Sequence, residues 1–266
     1  MNLLYCGDGN VEQGLALSAL SCAEHSDTPL KIYLLTAQWE THRAISPHFA
    51  ERLQSVLQTI HPQNRVFLFD VTPAFVKEFP HANRDTRFTP FCTLRLFADD
   101  IAEIPDRVLY LDTDVLCRKD LAPLWQWNMK GAEMAGVPDR YGKWFFQNPL
   151  RHSYLNSGVL LLDLARIRQS GLFARCRRLC REKKMFMPDQ TALNHLAKKT
   201  KLPRKFNEQG PIRGDTVLKH FTTFFRFFPF VRTVTVKPWQ ERELHEVLKI
   251  FEFDDLLEKY KKEFTQ

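Results

Sequence analysis

The sequence has no Cys-x-x-Cys pair; its six cysteines (Cys6, Cys22, Cys92, Cys117, Cys176 and Cys180) are scattered. That spacing excludes the common zinc sites and leads us to expect reduced thiols in a cytoplasmic setting. No apolar run approaches the roughly 18–20 residues that cross a bilayer. The opening MNLLYCGDGN lacks a basic n-region and a cleavage motif, so no signal peptide is expected. Internal repeats and low-complexity tracts are also missing. So is the Gly-x-Gly-x-x-Gly dinucleotide fingerprint, since the first turn offers only Gly7, Gly9 and Gly14.

What is present is globular. With 266 residues, 44% hydrophobic and 26% charged, the chain can form one large α/β domain or two small ones. A net charge of +7 favours an acidic partner: a nucleotide, an anionic glycan or a membrane surface.

The most informative stretch is RVLYLDTDVLCRKDL, Arg107 to Leu121. Val108-Leu109-Tyr110-Leu111 reads as a buried strand after the turn-like Ile104-Pro105-Asp106. It ends on Asp112-Thr113-Asp114, whose two carboxylates at i and i+2 point roughly the same way. The carboxyl end of a buried parallel strand is where open α/β sheets bind ligands. Two anions held so close call for a cation, and hard oxygens suit Mg²⁺ or Mn²⁺ shared with a phosphate. Asp-x-Asp also occurs by chance in solvated turns. A rival chemistry makes Asp112 a nucleophile, as in haloacid-dehalogenase-type phosphatases.

Elsewhere the pattern alternates strand and helix. Asn2–Cys6 is a strand, Gly7–Asn10 a turn, and Val11 to Ala23 a helix. Leu30–Thr36 and Arg65–Val71 are strands flanking a helix over His42–Ile60. This order predicts a mostly parallel sheet. Phe88–Ile101 is expected to be helical and carries Arg95 among apolar neighbours, as a surface salt bridge or a contact to a phosphate or carboxylate. Glu133–Val137 is a strand and Arg140–Ser153 a loop. Asn156-Ser157-Gly158 is a polar turn feeding a strand. Arg166–Lys184 is a basic helix whose Arg175, Arg177, Arg178, Arg181, Lys183 and Lys184 should form a solvated face. Pro188 and Asp189 open another helix. From Val217 to Trp239, Phe221, Phe224, Phe225, Phe227, Phe228 and Phe230 interleave with Lys219, Arg226, Arg232 and Lys237. Burial accounts for most of those Phe; interfacial membrane contact is the competing account, with Phe225 and Arg226 expected to face outward. Glu241–Phe264 is read as one closing helix.

Taken in order, these motifs resemble glycosyltransferase family 8, the retaining sugar-nucleotide transferases that include bacterial lipopolysaccharide galactosyl- and glucosyltransferases and glycogenin. The resemblance runs from Leu3 to Trp239. It rests on Tyr5-Cys6-Gly7-Asp8-Gly9-Asn10, Arg95, Asp112-Thr113-Asp114, Asn156-Ser157-Gly158, Asp189-Gln190 with Asn194, His220 and Lys237-Pro238-Trp239. In this chain the Phe-rich insert separates His220 from Lys237, and no glycine lies between them.

The resemblance implies a GT-A-type, Rossmann-like α/β fold, with a catalytic domain over 1–240 and a helical tail over 241–266. It implies Mn²⁺ (or Mg²⁺) held by Asp112, Asp114 and His220. A UDP-glucose or UDP-galactose donor would lie on Tyr5, Cys6, Asp8, Asn10, Arg95, Thr113, Asn156, Ser157 and Lys237. Asp189 and Gln190 would be the catalytic pair. The acceptor would be a saccharide or a lipid-linked saccharide, as in lipopolysaccharide or cell-surface glycan synthesis. The implied location is cytoplasmic and peripheral on the inner membrane face, and no nucleic-acid partner is implied. A non-catalytic sugar-nucleotide-binding protein is the third reading; a base needs no metal triad, so the set Asp112, Asp114 and His220 argues against it.

Overall fold

The computed structural model describes residues 1–84, 89–141, 154–226, 230 and 232–265. Its frame is a seven-stranded sheet. In chain order the strands are β1 (Asn2–Gly7), β2 (Lys31–Thr36), β3 (Arg65–Asp70), β4 (Arg107–Leu111), β6 (Met134–Pro138), β7 (Leu155–Asp163) and β8 (Lys199–Lys201), while β5 (Val115–Cys117) lies outside it. The spatial order is β3-β2-β1-β4-β7-β6-β8. Pairing is parallel except along β7, which runs against both β4 and β6. The expectation of a mostly parallel, GT-A-like sheet is met. β1 and β4 read as near-continuous apolar runs because both of their faces are covered.

One face carries α1 (Glu12–Glu24) and α2 (Pro47–Ile60). From Gly14 to Ala23 every residue of α1 is buried, as befits a helix sandwiched between the sheet and the C-terminal segment. α2 starts at Pro47, later than its apolar spacing suggested. Ser46 caps it by accepting from Phe49 N–H at 3.1 Å, and Pro47 follows at the first helical position. The other face carries α3 (Thr72–Lys77), a 3₁₀ segment over Pro90–Asp100, α5 (Leu164–Ser170), α6 (Leu172–Glu182) and α7 (Pro188–Leu196); α4 is the single turn Ala122–Trp125.

Three local expectations are corrected. The segment holding Arg95 is 3₁₀ rather than α-helical, with the Thr93 hydroxyl bonded to Pro90 C=O at 2.8 Å. The basic helix is two helices, broken at Gly171, whose left-handed φ of 63° suits glycine. Arg177 is not solvated: it is buried between Glu78, Asp99 and Asp100 at 3.3, 2.7 and 3.0 Å. A guanidinium can hold three carboxylates at once, so Arg177 ties α6 to the 3₁₀ segment.

The closing helix is likewise divided. α8 (Glu241–Glu243) runs into a π-helical turn over Leu244–Leu248, Lys249 turns left-handed (φ 57°), and α9 (Asp254–Phe264) follows. Leu244, Phe253, Leu256 and Leu257 bury into the core beneath α1, which a continuous helix would not have allowed on one stripe. In the Phe-rich stretch Phe221 is core and Phe230 is exposed. Phe225 packs edge-on against Tyr141 in the cleft wall, not outward as expected. Phe227, Phe228 and the Arg226 side chain lie outside the described residues, as does most of the loop expected over Arg140–Ser153. Among the described residues no helix is long and apolar enough to cross a membrane.

Candidate active site

The strand order reverses between β1 and β4, and a cleft of about 610 Å³ opens at their carboxyl ends. Leu4 pairs with Tyr110, so the strands deliver Cys6-Gly7-Asp8 and Asp112 to the same rim. Beyond β4 the chain turns, with Val115 N–H on Asp112 C=O at 3.1 Å. β5 then pairs antiparallel with β9 (Leu218–His220), which sets Val115 opposite His220. Phe221 N–H donates to Asp114 C=O at 3.0 Å. This small sheet is what carries His220 across the sequence to the Asp-Thr-Asp turn.

Asp112, Asp114 and His220 offer one ligand atom each, all within 4.8 Å of one another. His220 Nε2 lies 3.2 Å from Asp114 Oδ1 and 3.8 Å from Asp112 Oδ2. Among the described residues, the buried Asp114 Oδ1 accepts no hydrogen bond and faces the His220 ring nitrogen. An orphaned buried carboxylate oxygen is costly, and a cation would satisfy it. Two carboxylates and an imidazole are a donor set for Mn²⁺ or Mg²⁺, so the residues fit such an ion. Asp114 Oδ2 meets Lys237 Nζ at 2.5 Å. Burial opposes ionisation of Asp114, but Lys237 and then His220 outweigh it and hold this carboxyl well below the usual carboxylate range.

Arg95 organises the floor. It is buried, donates to Asp112 Oδ1 at 3.0 Å and Ser157 C=O at 2.6 Å, and pairs with Asp189 at 3.3 Å. Its neighbour is therefore a carboxylate pair, the second of the two functional contacts expected from the sequence. Tyr110 OH donates to the same Asp112 oxygen at 2.6 Å. Asp112 Oδ2 is left facing His220 Nε2, 3.8 Å away.

Gln190 accepts from Ser157 N–H at 2.9 Å and donates to Asp139 at 3.2 Å. Asn156 donates to the same Asp139 oxygen at 3.0 Å. Asn194 instead staples the start of β7, bonding both Leu155 N–H and Leu155 C=O at 2.7 Å. At the other end of the cleft Asp8 accepts from Asn10 Nδ2 at 2.8 Å and sits 2.5 Å from His42 Nδ1. Thr113 and Cys6 also line the cleft.

Of the expected site residues, only Tyr5 and Asn10 do not line it. Asn10 reaches its edge through Asp8. Tyr5 is wholly buried, with its hydroxyl on Ser18 at 3.0 Å in the opposite core, because alternate residues of a strand face opposite ways. Sequence reasoning missed Asp139, His42 and Asn207. Asp139 carried a signal, as the carboxylate that ends a strand; His42 and Asn207 carried none, lying on irregular backbone.

Lys219 is buried beside this site, with its ammonium on Gly210 and His220 carbonyls at 2.7 and 3.1 Å. Burial lowers its pKa to about 8. Lys219, just ahead of the Phe-rich insert, is thus a structural clamp on the backbone around His220.

Comparison with known proteins agrees with this architecture. Against the lipopolysaccharide 1,2-glucosyltransferase of Escherichia coli the chain is 26% identical over 254 residues, 88% of this chain and 71% of that protein. Against the glycosyltransferase GlyF of Streptococcus pneumoniae serotype 4 it is 30% identical over 146 residues, 54% of this chain and 32% of that protein. The chain spans about a third to a half of the length of the first curated relatives it matches. Among solved structures, the galactosyltransferase LgtC in complex with donor and acceptor sugar analogues superposes with a TM-score of 0.68 at 20% identity, covering 98% of this chain and 96% of that one. That likeness shows a shared fold. The model of Glycosyl transferase family 8 matches residues 2–243, which sets aside the haloacid-dehalogenase-type reading of Asp112; the chain belongs to glycosyl transferase family 8.

Proposed function

We propose that this enzyme moves a hexose, glucose or galactose, from a UDP-sugar to a saccharide or lipid-linked saccharide acceptor, with retention of configuration. The observation that carries the reading is the orphaned Asp114 Oδ1, facing Asp112 and His220 in a cleft at the sheet's switch point. Asp112, Asp114 and His220 would hold Mn²⁺ or Mg²⁺. A bound cation supplies charge neutralisation for the diphosphate leaving group, without proton transfer.

The chain's own residues divide the remaining work. Lys237, at the cleft face, adds positive charge where the leaving diphosphate develops negative charge. Arg95 holds Asp112 and Asp189 in fixed positions, so their carboxylates need not reorganise during reaction. Asp189 would accept from donor-sugar hydroxyls, and Gln190, Asn156 and Ser157 line the same cleft. Asp8 and Asn10 mark the end for the uridine. Tyr141, Phe186 and Phe225 line the outer cleft and offer aromatic faces to an acceptor sugar. The acceptor hydroxyl would attack on the face that the UDP leaves.

A panel of UDP-sugars, assayed for UDP release with Mn²⁺ and with EDTA, tests this directly. Release from one hexose nucleotide, abolished by EDTA, is expected; release that survives EDTA removes the metal from the reaction. A peripheral cytoplasmic-face location belongs to the same proposal, supported by the +7 net charge and the exposed Phe230. Salt-sensitive pelleting with anionic vesicles is expected, weakened by Phe230→Ser. Equal pelleting of both proteins would place any membrane contact elsewhere.

A further inference from the structure

One line of buried amides runs beneath the metal trio. Asn156 Nδ2 donates to Asp139 Oδ2 at 3.0 Å, and Asn156 Oδ1 accepts from Gly158 N–H at 3.0 Å. A carboxylate only accepts and a backbone N–H only donates, so both ends of this amide are fixed. Asn156 Oδ1 takes a second hydrogen bond from Asn207 Nδ2 at 2.9 Å. Asn207 must therefore turn its oxygen the other way, toward His220 Nδ1 at 3.1 Å. An amide oxygen can only accept, so Nδ1 carries a ring proton, and in the neutral ring Nε2 keeps its lone pair. Asn207 is inaccessible to solvent, so no water substitutes for it.

We propose that Asn207 is a positioning residue that holds His220 in the Nδ1–H tautomer. The inference rests on the metal reading of the same site and deepens it. Its purpose follows from the alternative. An Nε2–H would point at Asp114 Oδ1, 3.2 Å away, and would fill with a proton the place a cation needs. With Nδ1 protonated in the neutral ring, Asp112, Asp114 and His220 all present acceptor atoms within 4.8 Å of one another, and metal binding requires no rearrangement of the ring. A second hydrogen bond that orients a ligating imidazole is worth about 10–100-fold in metal affinity.

The test is ¹⁵N-detected imidazole spectroscopy of the metal-free protein at about pH 9, above the ordinary histidine range. The His220 signals are assigned by their loss in His220→Ala. Wild type is expected to show Nδ1–H. Asn207→Leu is expected to show Nε2–H and to bind Mn²⁺, with UDP present, about 10–100-fold more weakly. Asn207→Asp keeps an acceptor toward Nδ1 but loses the donor to Asn156 Oδ1, and is expected to restore the tautomer and part of the affinity. A proton on Nε2 in wild type overturns the proposal, as does wild-type Mn²⁺ affinity in a folded Asn207→Leu. If the variants fail to fold, the wild-type spectrum alone decides. Failure of wild type to bind Mn²⁺ defeats the metal reading instead, and the spectrum still judges the relay.

Discussion

Asp114→Ala is expected to lose about a thousandfold in transfer rate, roughly 4 kcal/mol of transition-state stabilisation, while the protein stays folded. Asp112→Ala should do the same by a different route. Asp114 has one oxygen on Lys237 and one orphaned toward His220, so its removal would delete a proposed metal ligand and release the lysine. Asp112 has one oxygen on Arg95 and Tyr110 and the other toward the centre. Asp112→Asn separates the two functions, because its amide oxygen can still accept from Arg95 and Tyr110 while the charge is gone. That variant should keep wild-type thermal stability and still lose the activity. Rates with saturating Mn²⁺, set against rates in EDTA and thermal unfolding of each variant, check the prediction. Near-normal activity of Asp114→Ala in EDTA would show that no metal is shared there.

Gly158→Ala is expected to be nearly as damaging, with a methyl group as its only change. A Cβ at this position would lie 2.2 Å from His220 Cε1, 2.8 Å from Nδ1 and 2.9 Å from Asp112 Oδ2. Gly158 is not among the residues with positive φ, so alanine meets no backbone strain. Its N–H to Asn156 and its C=O to Asp112 N–H also survive the substitution. The effect is therefore steric: the methyl displaces the imidazole or the carboxylate by more than a metal shell tolerates. The overpacking should cost about 1–3 kcal/mol of stability. Mn²⁺ affinity in the presence of UDP should fall by at least about 100-fold, the upper end of what losing a hydrogen-bonding partner of a metal ligand costs. Affinity within a few-fold of wild type would mean that His220 does not ligate from the position seen here.

Glycine at 158 also shows how far the sequence carried this protein. Asn156-Ser157-Gly158 stood out as a polar break before an apolar strand, but nothing in the three letters said that the missing side chain makes room for a histidine 62 positions later. The strands were readable because burial on both faces leaves unbroken apolar runs, as in Leu3–Tyr5 and Val108–Leu111. Asp112 and Asp114 were readable because charge at the end of such a run has few structural uses. Arg177 was misread because six basic residues on one segment look alike, and only the fold shows which one faces Glu78, Asp99 and Asp100.

The sequence by itself determined the alternating α/β order, the strand that ends in two carboxylates and, through its motifs taken together, the family. Those features are local: each depends on residues a few positions apart. Tertiary structure alone decided that Tyr5 faces the core, that Arg95 joins Asp112 to Asp189, that β5 and β9 pair to bring in His220, and that Asn207 stands behind it. These are juxtapositions of residues tens to more than a hundred positions apart. Hydrophobic burial selects the sheet order, and hydrogen-bond directionality then limits which partners each buried polar group can take, which no spacing in the chain encodes.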